Sequence, residues 1–241
     1  MTTPLTACIT GTDRGIGLAL TKQLLEQGYV VFAGGIMRQN AEIAKLAEEF
    51  PGKLHAFYLD VGSDESVKEA AAFIKSKTDS LDFLLNNAAI LGDTTKTIED
   101  DIDFDEALRN YNITALGAIR MANALIGPIM NGGKLIVTIS SEAGSITQSY
   151  REAWFGYCMA KAAVNMGHTI IHNKIRKEGG RVILFHPGWV KTWLSGEWND
   201  NGTYTPEEAA SNILKRLAER RNELREQPIY LEADTGKELP W

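Results

Sequence analysis

Cysteine is scarce in this chain: Cys8 and Cys158 are the two among 241 residues. They lie far apart and outside any metal-ligand spacing, which excludes a disulfide framework and fits a reducing compartment. Long apolar runs are lacking as well. No uninterrupted stretch approaches the roughly 20 apolar residues that would cross a bilayer, and the opening MTTPLTACITGTDRG has no basic start and meets Asp13 and Arg14 before an apolar signal core could form. Basic charge is in deficit, with 25 Lys and Arg against 31 Asp and Glu for a net charge of −6, and no Lys/Arg cluster is dense enough to follow a phosphate backbone. The four histidines share no spacing with carboxylates or cysteines, so no metal is expected. These absences lead us to expect a cytoplasmic protein with neither a nucleic-acid nor a membrane partner.

What is present is an ordinary globular composition, 44% hydrophobic and 23% charged, enough to bury the core of one α/β domain spanning 1–241. Apolar, β-prone runs recur at 5–10, 29–33, 54–59, 81–85, 134–139, 181–186 and 229–231, and most are continuous, as strands buried on both faces require. Segments of helical period lie between them: Ile16, Leu20 and Leu24; Ile43, Leu46, Ala47 and Phe50; Val67, Ala71 and Ile74; Phe104, Leu108, Tyr111 and Ile119. The alternation predicts a Rossmann-type doubly wound parallel sheet of about seven strands with helices on both faces. Thr205-Pro206-Glu207-Glu208 reads as a capping box with Pro at the first helical position, opening a helix to about Arg221. Before it, about 188–204, Trp189, Trp193 and Trp198 stand among Gly, Asn and Asp without a period, as a substrate loop or lid would.

Chemistry-bearing residues gather where the strands end. The first strand runs through Thr10-Gly11-Thr12-Asp13-Arg14-Gly15-Ile16-Gly17 directly into a helix. Glycines there let the backbone approach a pyrophosphate, and a helix N-terminus supplies free N–H groups; a glycine turn of this kind also joins strands to helices without binding anything. Tyr157 and Lys161 stand four residues apart and share one face of a helix. A phenol of ordinary pKa ~10 is a poor acid/base at neutral pH, and a nearby ammonium favours its phenolate. The hydroxyls of Ser140 and Ser141 follow one predicted strand, Asn87 another and Pro187-Gly188 a third, so these ends converge on a crevice of the kind in which open α/β sheets place ligands.

Taken together these motifs resemble the short-chain dehydrogenase/reductase family over nearly the whole chain. TGTDRGIG is similar to the family's TGxxxGIG turn, Asp60-Val61 to its adenine-contacting pair, and Asn86-Asn87-Ala88-Ala89 to its NNAG. Asn112, Ser141, Tyr157 and Lys161 match its Asn–Ser–Tyr–Lys tetrad, and Pro187-Gly188-Trp189-Val190-Lys191-Thr192 resembles its nicotinamide-contacting PGxVxT. PGWVKT, TPEEAA and the closing GKELPW look most like the C-factor and sniffer-type carbonyl reductases. The resemblance implies that Tyr157 exchanges a proton with the substrate oxygen, that Ser141 hydrogen-bonds that oxygen, with Ser140 the alternative, and that Lys161 lowers the Tyr157 pKa and holds the nicotinamide ribose. It implies that Asn112 anchors a water leading from Lys161 to solvent. Cofactor contacts are expected from Gly11, Asp13, Arg14, Gly15, Ile16, Gly17, Arg38, Asp60, Val61, Asn87, Ala88, Tyr157, Lys161, Pro187, Gly188, Trp189, Val190 and Thr192.

The sequence departs from the pattern in two places that bear on specificity. Ser141 and Tyr157 are 16 positions apart, more than in much of the family, which makes Gln148, Tyr150, Arg151 and Trp154 candidates to line the substrate site, solvated loop residues being the alternative. An acidic residue for the ribose 2′-OH of NAD is missing from Gly34-Gly35-Ile36-Met37, while Arg14 and Arg38 offer charge to a 2′-phosphate. NADP is therefore favoured, with NAD the alternative. The expected activity is hydride transfer between nicotinamide and an apolar or aromatic carbonyl or alcohol; the competing reading is a nucleotide-binding signalling protein of the same fold with little turnover. By resemblance, the helices carrying Asn112 and Tyr157 would pair across a two-fold axis in a homodimer or homotetramer.

Overall fold

A computed structural model describes residues 4–241. Seven strands form one sheet: β1 (Thr6–Thr10), β2 (Val30–Gly35), β3 (Leu54–Tyr58), β4 (Phe83–Asn86), β5 (Leu135–Ile139), β6 (Arg181–His186) and β7 (Ile229–Glu232). Their order is β3-β2-β1-β4-β5-β6-β7, and every neighbouring pair is parallel. Parallel neighbours need a crossover between them, and the helices supply it: α1 (Gly15–Glu26), α2 (Ala41–Glu49), α3 (Asp64–Lys75), α4 (Phe104–Asn110), α5 (Gly117–Asn131), α6 (Phe155–Ile175) and α7 (Pro206–Arg220).

The continuous apolar runs are explained by burial on both faces. From β1 and β4, Ile9, Phe83 and Leu85 face Leu20, Leu24 and Leu25 of α1 and Ile213 and Leu217 of α7. Their sequence neighbours Cys8 and Leu84 face the opposite core with Ile74 of α3, Met121 and Leu125 of α5 and Val164 of α6. Each such large side chain contributes roughly 1.5–3 kcal/mol when fully buried. The start of α7 follows its predicted chemistry, Thr205 and Glu208 closing a reciprocal capping box with Pro206 behind the cap; Asn40 caps α2 and Ser63 caps α3.

One helical stripe faces the other way from its prediction. Phe104, Leu108 and Tyr111 are exposed, and the buried face is built instead from Asn110, Thr114, Ala115, Ala118, Met121, Ala122 and Leu125. A π-helical turn, Tyr111–Leu116, joins α4 to α5. Its wider winding changes the phase between the two halves, so no single 3.6-residue stripe describes both. The joined helix Phe104–Asn131 contains an 18-residue window of mean hydropathy 1.4 and is long and apolar enough to cross a membrane, but half of that window is buried within the protein.

Register brings the carboxyl ends of the strands together. Thr10 pairs with Gly34, Asn86 with Thr138 and Ile139 with Phe185, so the segments that leave β1, β2, β4, β5 and β6 emerge along one edge of the sheet. That edge carries the candidate site.

Candidate active site at the strand ends

The turn from β1 to α1 is built on glycine. Gly11 and Gly15 adopt φ of +70° and +58°, and a Cβ on Gly17 would lie 2.1 Å from the Gly11 carbonyl oxygen, so side chains are sterically barred where the helix meets the turn. Asn87 locks the turn from β4, its amide donating to the carbonyls of Thr10 and Gly11 at 3.0 Å each, while Thr10 Oγ1 accepts from the N–H groups of Asn87 and Ala88. Arg14 stands at the N-cap without a side-chain cap bond, and the first turn of α1 contains no acid. Uncapped N–H groups and an absent carboxylate fit a pyrophosphate here. Ile16 packs half-buried against the core.

Asp13 has a local task. Its carboxylate accepts from the N–H groups of Ile36 (2.9 Å) and Met37 (2.7 Å), fastening the turn to the chain beyond β2. Arg38 follows, with its guanidinium 4.1 Å from the centroid of the Tyr58 ring, and Arg14 lies 5.7 Å from that of Trp193. Asp60 accepts from Gly62 N–H at 2.8 Å, and Val61 is buried beside it.

Beyond β5, Ser140 and Ser141 diverge. The Ser140 hydroxyl donates to Asn165 Oδ1 at 2.6 Å, whereas the Ser141 hydroxyl accepts from Ala143 N–H at 3.2 Å as it caps the short turn Glu142–Gly144, close enough to the Tyr157 phenol to favour its ionised form. Ser140 is thus committed to Asn165. Lys161 is buried on the same helix; its Nζ donates to the Ile139 carbonyl at 2.7 Å and lies 5.5 Å from the centroid of the Tyr157 ring. Burial, with no compensating carboxylate, brings the Lys161 amine down to about 7.

The phenol behaves differently from the expectation that Lys161 would lower its pKa. Burial pushes Tyr157 up to about 12, and the nearby Ser141 hydroxyl only partly offsets it. Lys161 Nζ lies 5.5 Å from the ring centroid, and desolvation dominates.

Asn112 is not brought to Lys161 by its hydrogen bonds. Its side-chain amide donates to the Gly62 carbonyl at 3.0 Å, its Oδ1 accepts from Arg120 at 2.8 Å, and its backbone carbonyl also accepts from Arg120. Arg120 in turn pairs with Asp64. The side chain therefore belongs to a bracket between α5 and the loop after β3.

The segment after β6 is tied down at both ends. Pro187 is buried, Gly188 adopts φ +85° against the Tyr204 ring, and Val190 and Tyr204 form a bridge with Lys191 N–H on the Tyr204 carbonyl. Thr192 reaches back to within 3.6 Å of a Cβ built on Gly15. Trp193 and Trp198 pack at 4.4 Å between centroids, and Trp189 is more than half exposed.

Two buried residues that shape the site carried no motif. Asn165 accepts from Ser140 and donates to the Gly144 carbonyl; it lies one turn beyond Lys161, and that i, i+4 spacing was its only signal. Tyr230, on β7, donates its hydroxyl to the Ser141 carbonyl across 89 positions, a contact no local pattern could announce. Among the described residues, no group of three or more His, Cys, Asp or Glu side chains could hold a metal ion.

Comparison with known proteins places this geometry in context. The family described as short chain dehydrogenase matches residues 5–202. A 1-hydroxy-2-glutathionyl-2-methyl-3-butene dehydrogenase of Rhodococcus sp. (strain AD45) is 30% identical over 215 residues, covering 88% of this chain and 90% of that protein. The NADPH-bound carbonyl reductase from chicken fatty liver superposes with TM-score 0.86 at 28% identity, covering 100% of this chain and 96% of the other. Carbonyl reductase Sniffer of D. melanogaster gives TM-score 0.87 over 99% and 100% of the two chains, at 23% identity, a likeness of fold.

Proposed function

The chain belongs to the short-chain dehydrogenase family, and from that membership we propose that it is an NADP(H)-dependent reductase of an apolar carbonyl compound with Tyr157 as its acid/base. The observation that carries the reading is the group at the end of β5: Ser141, Tyr157 and Lys161, all buried, beside an uncapped glycine turn. When bound, the nicotinamide supplies or receives the hydride. The turn Gly11–Gly17 and the first N–H groups of α1 would hold its pyrophosphate, while Asn87 keeps the turn in shape.

Burial keeps the Tyr157 phenol protonated at neutral pH, which suits a general acid that gives its proton to a carbonyl oxygen as that oxygen gains charge. Ser141 would donate a hydrogen bond to the same oxygen. Alcohol oxidation needs the phenolate, so its rate rises with pH where reduction does not. Lys161 fixes the phenol's surroundings from beneath and would hold the ribose. Support for NADP over NAD comes from Arg14 and Arg38, from the lack of an acid in Gly34-Gly35-Ile36-Met37, and from the NADPH-bound chicken enzyme. An apolar substrate accords with the exposed rings of Tyr150 and Trp189, and 188–204 would be the lid over it. The low cysteine content supports a cytoplasmic location, and exposed Leu108, Met166 and Ile170 support a homo-oligomer through α4 and α6.

The test is fluorescence titration with NADPH and NADH, then a carbonyl panel followed by NADPH absorbance. Tyr157→Phe should lower turnover by about 10²–10⁴-fold with NADPH affinity nearly unchanged. Turnover that survives in Tyr157→Phe removes Tyr157 from its role; failure to bind either nucleotide removes the reading altogether.

A further inference from the structure

The long connection between Ser141 and Tyr157 is closed by an ion pair. Glu142 directly follows Ser141, and Arg151 lies three residues before Trp154 and six before Tyr157. The two meet in a bidentate fork, Arg151 Nη1 to Glu142 Oε2 at 2.9 Å and Nη2 to Oε1 at 2.7 Å, with side chains 14% and 30% exposed. Two aromatic rings cover the guanidinium, Tyr150 and Trp154, each with its centroid 4.8 Å away. Trp154 in turn presents an edge to the Tyr157 ring, centroids 6.1 Å apart at 72°.

Trp154 is also strained. It occupies the left-handed region, φ 70° and ψ 30°, at the N-cap of α6, and makes no side-chain cap bond. A bulky residue in that region costs of order 1–3 kcal/mol and persists only when its surroundings hold it. The surroundings here are the Arg151 guanidinium on one side and Tyr157 on the other.

We propose that Arg151 is a positioning residue for catalysis: through its fork with Glu142 and its stack on Trp154, it sets the Tyr157 phenol against the Ser141 hydroxyl. The inference rests on the reading of Tyr157 and Ser141 as the groups that meet the substrate oxygen. One arm of the clamp is attached next to Ser141 and the other next to Tyr157, so the fork fixes the distance that the intervening loop leaves free. The fork is also matched in charge and stacked by rings, so it presents no net charge and an aromatic surface beside Tyr157; that surface suits a neutral, planar apolar carbonyl rather than a carboxylate-bearing one. The groups that act on Tyr157 come from each neighbouring segment: Lys161 and Cys158 from α6, Ser141 and Glu142 from the turn after β5, and Arg151 from the loop. His186, at the end of β6, is near enough to feel the charges of Glu142, Glu232, Asp234 and Arg151.

The experiment compares Arg151→Met, Arg151→Lys and the double variant Glu142→Gln/Arg151→Met with the wild type, each shown to be folded by circular dichroism. Arg151→Met should lower kcat for carbonyl reduction about 10- to 100-fold, the scale of a small misplacement of reacting groups, with the NADPH Kd within about twofold. It leaves the Glu142 charge unanswered beside the phenol, so the limb of alcohol oxidation moves to higher pH. The double variant should return the pH limb toward its wild-type position while kcat stays low, because charge balance is restored and the fork is not. Arg151→Lys keeps the charge without the fork, and should recover the pH limb and only part of kcat. A readout free of turnover is the ¹³C resonance of labelled Tyr157, identified by its loss in Tyr157→Phe, which should shift or broaden in Arg151→Met. Folded Arg151→Met with wild-type kcat and an unmoved Tyr157 resonance overturns the clamp. A wild type that shows no Tyr157-dependent turnover overturns the functional reading instead, and the resonance still decides whether Arg151 holds the ring.

Discussion

Lys161 is a buried amine whose hydrogen-bond partner is a carbonyl, the Ile139 oxygen, rather than a carboxylate. An amine brought down by burial to about 7 from its ordinary 10.5 binds fewer protons in the folded than in the unfolded chain between those two pH values. Stability from this group therefore rises with pH across that window, and the full burden of burying the charge is felt at and below neutral pH. Lys161→Met should raise Tm in thermal melts at pH 6, by an amount that shrinks as the pH is taken from 7 toward 10, while carbonyl reduction is lost. A Tm that falls equally at all pH values would mean that the hydrogen bond to Ile139 outweighs the buried charge. His168 is a second buried base. Burial brings it down to about 4 although the Val164 carbonyl favours the charged ring; in the neutral ring Nδ1–H donates to Val164 (2.9 Å) and Nε2 accepts from Thr138 Oγ1 (2.8 Å).

Elements differ in how openly the sequence announces them. The strands inside the sheet were legible because a strand covered on both faces must be apolar at successive positions, as Leu135-Ile136-Val137 is; the edge strand β3, only partly buried, was legible from its β-prone run. So was the start of α7, where Thr205, Pro206 and Glu208 carry the cap in three adjacent signals. The outward turn of Phe104, Leu108 and Tyr111 was not legible, since a π-helical turn has no periodicity of its own to betray the change of phase. Within the site, the glycine turn and the Tyr157–Lys161 pair could be read locally. The engagement of Asn112 by Gly62 and Arg120, like that of Ser141 by Tyr230, depends on which distant elements pack alongside. The glycine turn also gives an element-scale prediction. In Gly17→Ala the new methyl would meet the Gly11 carbonyl at 2.1 Å and the Asn87 amide at 2.6 Å, so β1 and α1 must move apart at the point where the pyrophosphate is expected. NADPH affinity should fall by about tenfold or more, the factor that 1.4 kcal/mol represents, in a fluorescence titration. Gly28→Ala, in a turn where nothing lies within 4 Å of the added Cβ, is the control for cost without a site, since its φ of +90° strains any side chain.

The whole molecule shows an apolar face that its own fold does not cover. Met166 and Ile170 of α6 are 63% and 61% exposed, and Leu108 of α4, a helix packed against α6, is 64% exposed. Self-association through that face would bury it. Ile170→Glu should then shift the protein toward monomer in sedimentation velocity at micromolar concentration, with NADPH binding retained; an unaltered assembly state would place the contact elsewhere. The sheet order has a further consequence, for the chain as it is being made. β1 can pair with β2 once α1 has formed, but its other edge must wait for β4, where Ala7 finally meets Phe83. At a synthesis rate of ~5–20 residues per second, that leaves the edge of Ala7, Cys8 and Ile9 open for several seconds. An unpaired apolar strand is a template for any other chain nearby, so yield in a cell depends on what shields this one strand edge during that interval.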